Sequence, residues 1–310
     1  AAQLYGELKQ LFPENAVEYF ISYYDYYIPE SYIPETDTYI EKQADINDDI
    51  ERLRLRTLAS LLSRRDVIVV ASVSAIYGLG EPDEVRKFFI IFETGKEYKR
   101  KNIIDKLLSM QYKRNDVELQ RGTFSIRGEI IDIQPAYEEN LFIRLEFFDN
   151  LLERITIREK LSKKIIQSVS SYALYPASPF LTSEEKLKIA LKNIEEELEE
   201  RIKYFESQGR YLEAQRLKQR VKFDLELLRE TGTCPGVENY SRHLALRPPG
   251  SRPWTLIDYF PKDFLLVIDE SHVTIPQLRA MYNGDRSRKE KLVEFGFRLP
   301  SALDNRPLKF

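Results

Sequence analysis

The alternation of apolar and polar positions along the chain predicts an α/β fold built from several unequal parts. Leucines recur at helical spacing within residues 1–12, and a short apolar segment follows at 16–21. Residues 45–65 again carry leucines at roughly helical intervals. Residues 66–73 then form a nearly continuous β-branched run, which is typical of a strand covered on both faces, as in a parallel sheet.

From about residue 88 the pattern changes to short alternating segments at 123–133, 141–148 and 153–157. Period-two alternation with turn residues between the segments predicts antiparallel strands, and therefore a separate small mixed α+β domain. Its outward positions are rich in arginine, which is typical either of a solvated sheet face or of a surface that binds a partner. These arginines are Arg114, Arg121, Arg127, Arg144 and Arg154.

The third part of the chain reads as an antiparallel helical hairpin. One apolar stripe runs through residues 187–205 and a second of matched length through 214–228, with a short turn at 207–209 between them. The charge runs on these helices are typical of solvated faces, and no chemistry is expected from them.

Six tyrosines crowd into the seventeen residues 23–39: Tyr23, Tyr24, Tyr26, Tyr27, Tyr32 and Tyr39. Two prolines five residues apart exclude a regular interior strand, because each removes a backbone donor. Four acidic residues interleave with the rings, and we expect them to keep the segment at the surface. The segment is then an exposed aromatic ribbon that can stack on unpaired bases, and the alternative is a hairpin with merely buried aromatics.

An apolar run at 264–268 ends abruptly in Asp269, Glu270, Ser271 and His272. The run is expected to be a strand that delivers two carboxylates to the edge of a nucleotide-hydrolysing sheet. Asp269 would hold Mg²⁺, Glu270 would polarise the attacking water and His272 would sense the phosphate. The alternative is an ordinary acidic strand end. No G-x-x-x-x-G-K-[ST] motif occurs in the sequence, so we expect this chain not to hydrolyse ATP by itself.

A loop of small residues at 72–80 leaves the predicted strand at its carboxyl end, where open α/β sheets bind ligands. Ser72 and Ser74 are therefore candidates for a phosphate or backbone contact. Small residues that simply permit a tight loop are the competing interpretation.

Composition narrows the classes of function that remain. The 310 residues carry a net charge of -3, so nucleic-acid binding must come from local patches or stacking and not from bulk charge. One cysteine, Cys234, and two histidines exclude an internal disulfide framework and a Cys/His metal cluster. A single cysteine fits a reducing cytoplasm, and no apolar run reaches transmembrane length, so we expect a cytoplasmic protein without a membrane partner. Ala1 lies inside an apparent helix, and we expect the chain to be a segment of a longer one.

Four stretches together resemble the UvrB family of bacterial excision-nuclease subunits, in collinear order over all 310 residues: the tyrosine segment, 71–80, 269–272 and 297–308. The resemblance implies a superfamily 2 helicase-like ATPase that uses ATP and Mg²⁺. It also implies that the protein verifies DNA damage with UvrA and then recruits UvrC. This chain would lack the family's P-loop and second helicase domain, and we expect it to bind no nucleotide alone.

The resemblance also implies a domain organisation. Residues 1–87 would be the first part of a RecA-like helicase domain with a parallel sheet, into which a β-hairpin is inserted at 23–46. Residues 88–182 would be the UvrA-interaction domain, 183–255 a helical subdomain and 256–310 the remainder of the helicase domain.

Ten residues are candidate contacts to damaged DNA: Tyr23, Tyr24, Tyr26, Tyr27, Tyr32, Tyr39, Lys42, Arg54, Ser72 and Ser74. Four fall on positions that face UvrA in the family: Arg114, Arg127, Arg144 and Glu146. Ser125 stands where the family has an arginine of that face, which weakens the expected contact. Residues 25–51 hold nine acids against Lys42 alone, a local charge of -8 that repels phosphate, so we expect the hairpin to enter DNA only where UvrA loads it.

Two alternatives remain open at this point. The transcription-repair coupling factor shares a similar UvrA-interaction module and helicase core, but it lacks the tyrosine hairpin. A UvrA-docking module without DNA or nucleotide activity is the other alternative, and it would use residues 88–182 alone.

Overall fold

The computed structural model describes residues 1–309, which form two compact units. The first unit comprises residues 1–23, 48–72 and 80–181, and the second comprises 24–47, 73–79 and the chain from 182 onward. The helices are α1 (Ala2–Leu11), α2 (Asp48–Ser63), α3 (Pro82–Phe88), α4 (Arg100–Ser109), α5 (Glu184–Ser207), α6 (Tyr211–Thr231), α7 (Ser241–Leu244) and α8 (Ser271–Glu294). The strands are β1 (Ala16–Phe20), β2 (Tyr24–Ile28), β3 (Ser31–Ile33), β4 (Thr38–Ile40), β5 (Gln43–Ile46), β6 (Val67–Ala71), β7 (Ile90–Glu93), β8 (Lys113–Arg114), β9 (Thr123–Arg127), β10 (Ile130–Gln134), β11 (Leu141–Phe148), β12 (Leu151–Glu159), β13 (Ile165–Val169) and β14 (Ser171–Leu174).

A two-stranded parallel sheet organises the first part of unit one. Strand β1 pairs with β6 from Ala16 opposite Val67 to Phe20 opposite Ala71. Helix α2 packs on β1, and the fully buried Thr57 donates its hydroxyl to the Leu53 carbonyl at 2.9 Å. The predicted α/β class with a parallel sheet is confirmed.

A six-stranded sheet dominates the rest of unit one, in the order β13-β12-β11-β10-β9-β8. Its pairings are antiparallel except for β8 with β9, and β7 pairs separately with β14. One face packs a core of aromatic and aliphatic side chains that includes Phe92, Leu107 of α4 and Phe124. The antiparallel mixed domain predicted from the alternating segments is confirmed.

Arg121 departs from the outward position expected of it. Its guanidinium forms ion pairs with Glu51 at 2.8 Å and Asp48 at 3.4 Å, both on α2, and it donates to the Ala136 carbonyl at 3.1 Å. The side chain therefore ties the region of the large sheet to α2, because the acidic first turn of that helix attracts a cation.

In unit two, α5 and α6 form the predicted helical hairpin. Ser183 caps α5 by accepting from the Lys186 amide at 3.4 Å, and Gly232 ends α6 in the left-handed conformation. Apolar side chains of the two helices meet in one buried cluster, which includes Leu198, Leu217 and also Leu299 from the far end of the chain.

The strand predicted at 264–268 does not form. The segment has no regular structure, and Leu265 and Val267 are 87% and 74% exposed. A strand is stable only where a neighbouring strand pairs with its backbone groups, and no strand within residues 1–309 pairs with this segment. Hydrophobic composition alone predicted the element wrongly.

Candidate nucleic-acid interface

The tyrosine segment folds as an antiparallel hairpin made of two consecutive ladders. Strand β2 pairs with β5, from Tyr24 opposite Ile46 to Ile28 opposite Gln43, and β3 pairs with β4 through Tyr32 opposite Tyr39. Pro29 lies between the ladders and Pro34 begins the turn at the tip. The prolines thus stand outside the paired positions, as their missing backbone donors require.

The inner ladder presents two tyrosines to solvent. Tyr26 is 50% exposed and Tyr27 is 46% exposed. The ring of Tyr24 stacks on that of Tyr27, with centroids 4.7 Å apart and planes 22° from parallel. This stack fixes the orientation of Tyr27 and leaves Tyr26 as a flat, accessible ring.

The outer ladder is packed against other residues of unit two, to which it belongs, instead of being exposed. Tyr32 is only 7% exposed and lies 5.0 Å from the Phe295 ring and 4.7 Å from the Phe297 ring, measured between centroids. Tyr39 stacks on Phe297 at 4.5 Å with an interplanar angle of 2°. The expectation of a uniformly exposed ribbon is therefore wrong for Tyr32 and Tyr39, because the phenylalanines after α8 supply an apolar surface for them.

A buried ion pair fastens the outer ladder. Glu30 is 5% exposed and receives hydrogen bonds from Arg298 Nε at 3.0 and 2.9 Å and from the Tyr39 hydroxyl at 2.6 Å. Arg298 also lies 3.5 Å from Asp224, which accepts from the Tyr240 hydroxyl at 2.6 Å. The argument that interleaved carboxylates keep the whole segment at the surface is wrong for Glu30, since a guanidinium and a phenol satisfy it inside the protein.

Two more cations hold the hairpin. Arg288 of α8 donates to the Glu30 carbonyl, and Lys42 forms an ion pair with Glu238 at 2.6 Å. Burial alone would raise the pKa of Glu238, but the Lys42 ammonium brings it below its usual range. Lys42, a candidate DNA contact, is thus paired with a carboxylate in this conformation.

The candidate residues in unit one occupy the end of the parallel sheet. The Arg54 guanidinium lies 3.8 Å from the centre of the Phe20 ring and 4.7 Å from that of Tyr23, and it donates to the Ile21 carbonyl at 2.7 Å. The Ser72 amide donates to the Phe20 carbonyl at 3.1 Å. Tyr23 and Arg54 are therefore brought together by cation–π contact.

Ser74 belongs to unit two, where it lies in the turn Val73–Ile76 and its carbonyl accepts from the Tyr77 amide at 3.2 Å. The Tyr77 hydroxyl in turn contacts the Met281 sulfur of α8 at 3.2 Å. The loop after β6 is thereby connected to α8.

The carboxylates predicted to serve a nucleotide site are exposed and not assembled around a common centre. Glu270 immediately precedes α8 and has the left-handed conformation with φ of 46°, and its Oε2 lies 3.4 Å from His272 Nδ1. Asp269 accepts a hydrogen bond from the Glu270 amide at 2.9 Å. Within residues 1–309 no group of three or more acidic, histidine or cysteine side chains converges to hold a metal ion. Asp269, Glu270 and His272 are all exposed, and their role at a Mg²⁺–nucleotide complex stays a prediction.

The outward face of the six-stranded sheet carries three of the four residues that the resemblance predicts to face UvrA. The register puts Arg127 and Glu146 both opposite Ile130, and Arg144 opposite Asp132, so their side chains share the face away from the core. Arg144 binds Asp132 through two hydrogen bonds of 2.7 and 2.9 Å.

The remaining contacts on this side are also paired. Glu146 accepts from Arg158 at 3.2 Å, and Arg114, on edge strand β8, pairs with Asp116 at 2.8 Å. Ser125 lies opposite Asp132 and is 5% exposed, so it leaves a shallow position where an arginine would project. The result is an ordered charge network and not a set of free arginines.

Sequence reasoning missed the residues that hold the hairpin: Asp224, Glu238, Tyr240, Arg288, Phe295, Phe297 and Arg298. Phe297 and Arg298 stand in a segment already singled out by its motif, but Glu30 and Arg298 are 268 positions apart. No local pattern connects two residues at that separation, so only the fold could show the pair.

Comparison with known proteins identifies two parts of the chain. A family model described as the UvrB interaction domain matches residues 90–180, and one described as the UvrB third helical domain matches 185–246. These ranges overlap the predicted domains at 88–182 and 183–255, whose boundaries stay predictions. Within the described residues, no helix is both long and apolar enough to cross a membrane.

Full-length comparison gives relatives named UvrABC system protein B over all 310 residues of this chain. The protein of Geobacillus kaustophilus is 58% identical, that of Carboxydothermus hydrogenoformans 59% and that of Bacillus subtilis 56%. In each case the alignment covers 47% of the relative. The chain thus spans about half the length of the curated relatives it matches.

Proposed function

The chain belongs to the UvrB family, and we propose that it is the damage-verification core of a nucleotide excision repair subunit. In this proposal the hairpin tests DNA with the tyrosines of its inner ladder, UvrA loads it onto damaged DNA, and UvrC acts after it.

One observation supports this proposal above the others: two tyrosines of the hairpin anchor it to the protein, and two others are exposed to solvent. Tyr32 and Tyr39 are packed against the phenylalanines, whereas Tyr26 and Tyr27 are about half exposed. Stacking of a base on an aromatic ring contributes roughly 1–3 kcal/mol. A fixed outer ladder with accessible inner rings is suited to probing a nucleotide at a defined position.

The acidity of the hairpin supports verification over tight general binding. Asp25, hydrogen-bonded to Asn47 at 3.1 Å, and Asp45, which lies opposite Tyr26 in the ladder, are near the exposed rings. They repel phosphate, so stacking has to offset electrostatic repulsion before DNA stays bound. A probe of this kind depends on a partner that places it.

UvrA is the partner proposed for the outward face of the large sheet. Arg127, Arg144 and Glu146 share that face with Asp132 and Arg158, so both signs of charge are held in fixed positions. Ordered charges of both signs give specificity and orientation more than bulk affinity. The match of residues 90–180 to the UvrB interaction domain, together with these ordered charges, is the basis of this proposal.

ATP and Mg²⁺ are proposed only for the longer protein. Asp269, Glu270 and His272 are not assembled for such a ligand here, and the sequence has no phosphate-cradling P-loop motif. No step of the proposed function in this chain therefore passes through a nucleotide.

The decisive experiment removes the two exposed rings from the full-length protein. With Tyr26→Ala and Tyr27→Ala together, we expect stable complexes with damaged DNA to be lost while UvrA binding is retained. The matched control replaces Tyr204 and Tyr211, which are 49% and 67% exposed on α5 and α6, with alanine. The control should keep both activities.

Gel-shift of a lesion-containing duplex in the presence of UvrA, beside UvrA pull-down, reads out both properties. Equal loss of DNA complexes and UvrA binding in the Tyr26/Tyr27 variant would contradict the role of the hairpin.

A docking module without DNA or nucleotide activity is the second candidate, and the charge network of the large sheet favours it. UvrA pull-down of this chain combined with a fluorescent-ATP titration distinguishes the two. UvrA binding with neither nucleotide nor DNA binding, in the full-length protein as well, would favour the docking module.

A further inference from the structure

Three cations converge on the ring of Tyr282, halfway along α8. Arg286 Nη1 donates to the Tyr282 hydroxyl at 3.0 Å. The Arg306 guanidinium carbon lies 5.6 Å from the centre of the ring, and the Lys309 ammonium lies 4.9 Å from it. All four residues belong to unit two, so the cluster is built within one compact part of the protein.

Acidic partners do not balance this cluster. Arg286 shares an ion pair with Glu290 at 2.6 Å, but within residues 1–309 no carboxylate forms an ion pair with Arg306 or Lys309. The hydrogen bond from Arg286 lowers the pKa of the Tyr282 phenol, as a positive local potential requires. Gathering like charges costs free energy, and the attraction of each cation to the face of the tyrosine ring offsets part of that cost.

A neighbouring group reports the same positive potential. Arg247 has its pKa lowered to about 10, first by burial and then by positive charges that include Arg306, although Asp304 opposes the shift. The excess of positive charge therefore extends beyond the ring to Arg247, whose own donors are already taken up by Ser241, Ser251 and the Asp304 carbonyl.

Guanidinium and ammonium groups held in this way are suited to phosphate oxygens, which accept charge-assisted hydrogen bonds. The three cations come from two segments of the chain, Arg286 from α8 and Arg306 and Lys309 from the residues that follow it, and they surround one ring. Three positive groups around one ring suit consecutive phosphates of a strand better than a single phosphate ion.

We propose that Arg306 and Lys309, positioned by the Tyr282 ring beside Arg286, bind the phosphate backbone of a nucleic-acid strand. The proposal rests on the DNA function proposed above and adds a binding site separate from the tyrosine hairpin. Tyr282 is a positioning residue here: its ring orients the cations, and the cations contact the phosphates.

The test measures the salt dependence of binding to a fluorescent (dT)20 strand by anisotropy, using the full-length protein. Each phosphate contact on a single strand contributes about -0.7 to the slope of log K against log salt. Replacing Arg306 and Lys309 together with glutamine should make the slope shallower by about 1.4 and weaken binding about 25-fold at 0.1 M salt. The control replaces Lys188 and Lys203, two exposed lysines of α5, with glutamine and removes the same charge.

A slope that stays at the wild-type value in the Arg306/Lys309 variant, or that changes equally in the control, would overturn the proposal. Line broadening of inorganic phosphate in ³¹P spectra that the variant abolishes, with an unchanged (dT)20 slope, would identify free phosphate as the ligand and overturn the strand assignment. The gel-shift of the Tyr26/Tyr27 variant on a lesion-containing duplex is independent of this salt slope. If that assay contradicted the role of the hairpin, the salt slope would still test the phosphate site.

Discussion

The buried pair of Glu30 and Arg298 gives the sharpest prediction about stability. Replacing Arg298 with methionine keeps the volume but leaves Glu30 and Asp224, which are 5% and 1% exposed, without their cation. Removing one partner of a buried ion pair costs about 3–5 kcal/mol, because a desolvated charge is left uncompensated. We expect the free energy of unfolding to fall by that amount.

Urea unfolding at pH 7 measures the loss, and amide hydrogen exchange locates it. Exchange should accelerate in residues 31–40, whose ladder Glu30 fastens, while the core between α5 and α6 changes less. A variant that combines Arg298→Met with Glu30→Gln should lose less stability than Arg298→Met alone, since one stranded charge is then absent.

The matched control is Arg229→Met. Arg229 on α6 pairs with Glu195 on α5, but both side chains are nearly half exposed. A surface pair of this kind contributes about 0–1 kcal/mol. If Arg298→Met cost no more than Arg229→Met, the buried pair would not anchor the hairpin and the reasoning would fail.

Two further predictions test other parts of the fold. Burial would raise the pKa of Glu197, but hydrogen bonds that include one with His243 lower it from the usual 4.5. The ionised carboxylate therefore stabilises the folded protein above pH 4.5, and this contribution is lost as the pH falls through the lowered pKa of the folded state. Acid titration of unfolding should show the difference between wild type and Glu197→Gln, about 1–3 kcal/mol at pH 7, shrinking below pH 4.5. Gly80→Ala should destabilise by about 3 kcal/mol, because its Cβ would lie 1.8 Å from the Pro179 carbonyl oxygen. The control is Gly6→Ala in α1, which has open space around it and should be neutral or slightly stabilising. Thermal melts of the two variants measure the difference.

Periodicity was sufficient for the elements whose partners lie close in sequence. The stripes of α5 and α6 and the alternation in β9 to β12 predicted the helical hairpin and the antiparallel sheet. Each of these elements is stabilised by neighbours a few turns or one hairpin away, so the local pattern carries the information.

The errors arose where distant residues decide the outcome. Residues 264–268 are as hydrophobic as a buried strand, yet pairing with another strand determines whether they form one. Glu30 looked like a surface acid because its cation, Arg298, is far away in sequence. The candidate site was therefore identified by residue type, while its anchoring could be seen only in three dimensions.

The way the outer ladder is held has a mechanical consequence. A β-hairpin held only at its base bends easily, whereas one that is also held near its tip is stiffer. The hairpin continues into the chain at its base, and near its tip Tyr32 and Tyr39 are supported by Phe297. In the function proposed above, a strand that presses on Tyr26 would load a β-hairpin whose outer ladder rests on Phe297, and this support would resist displacement of the tip.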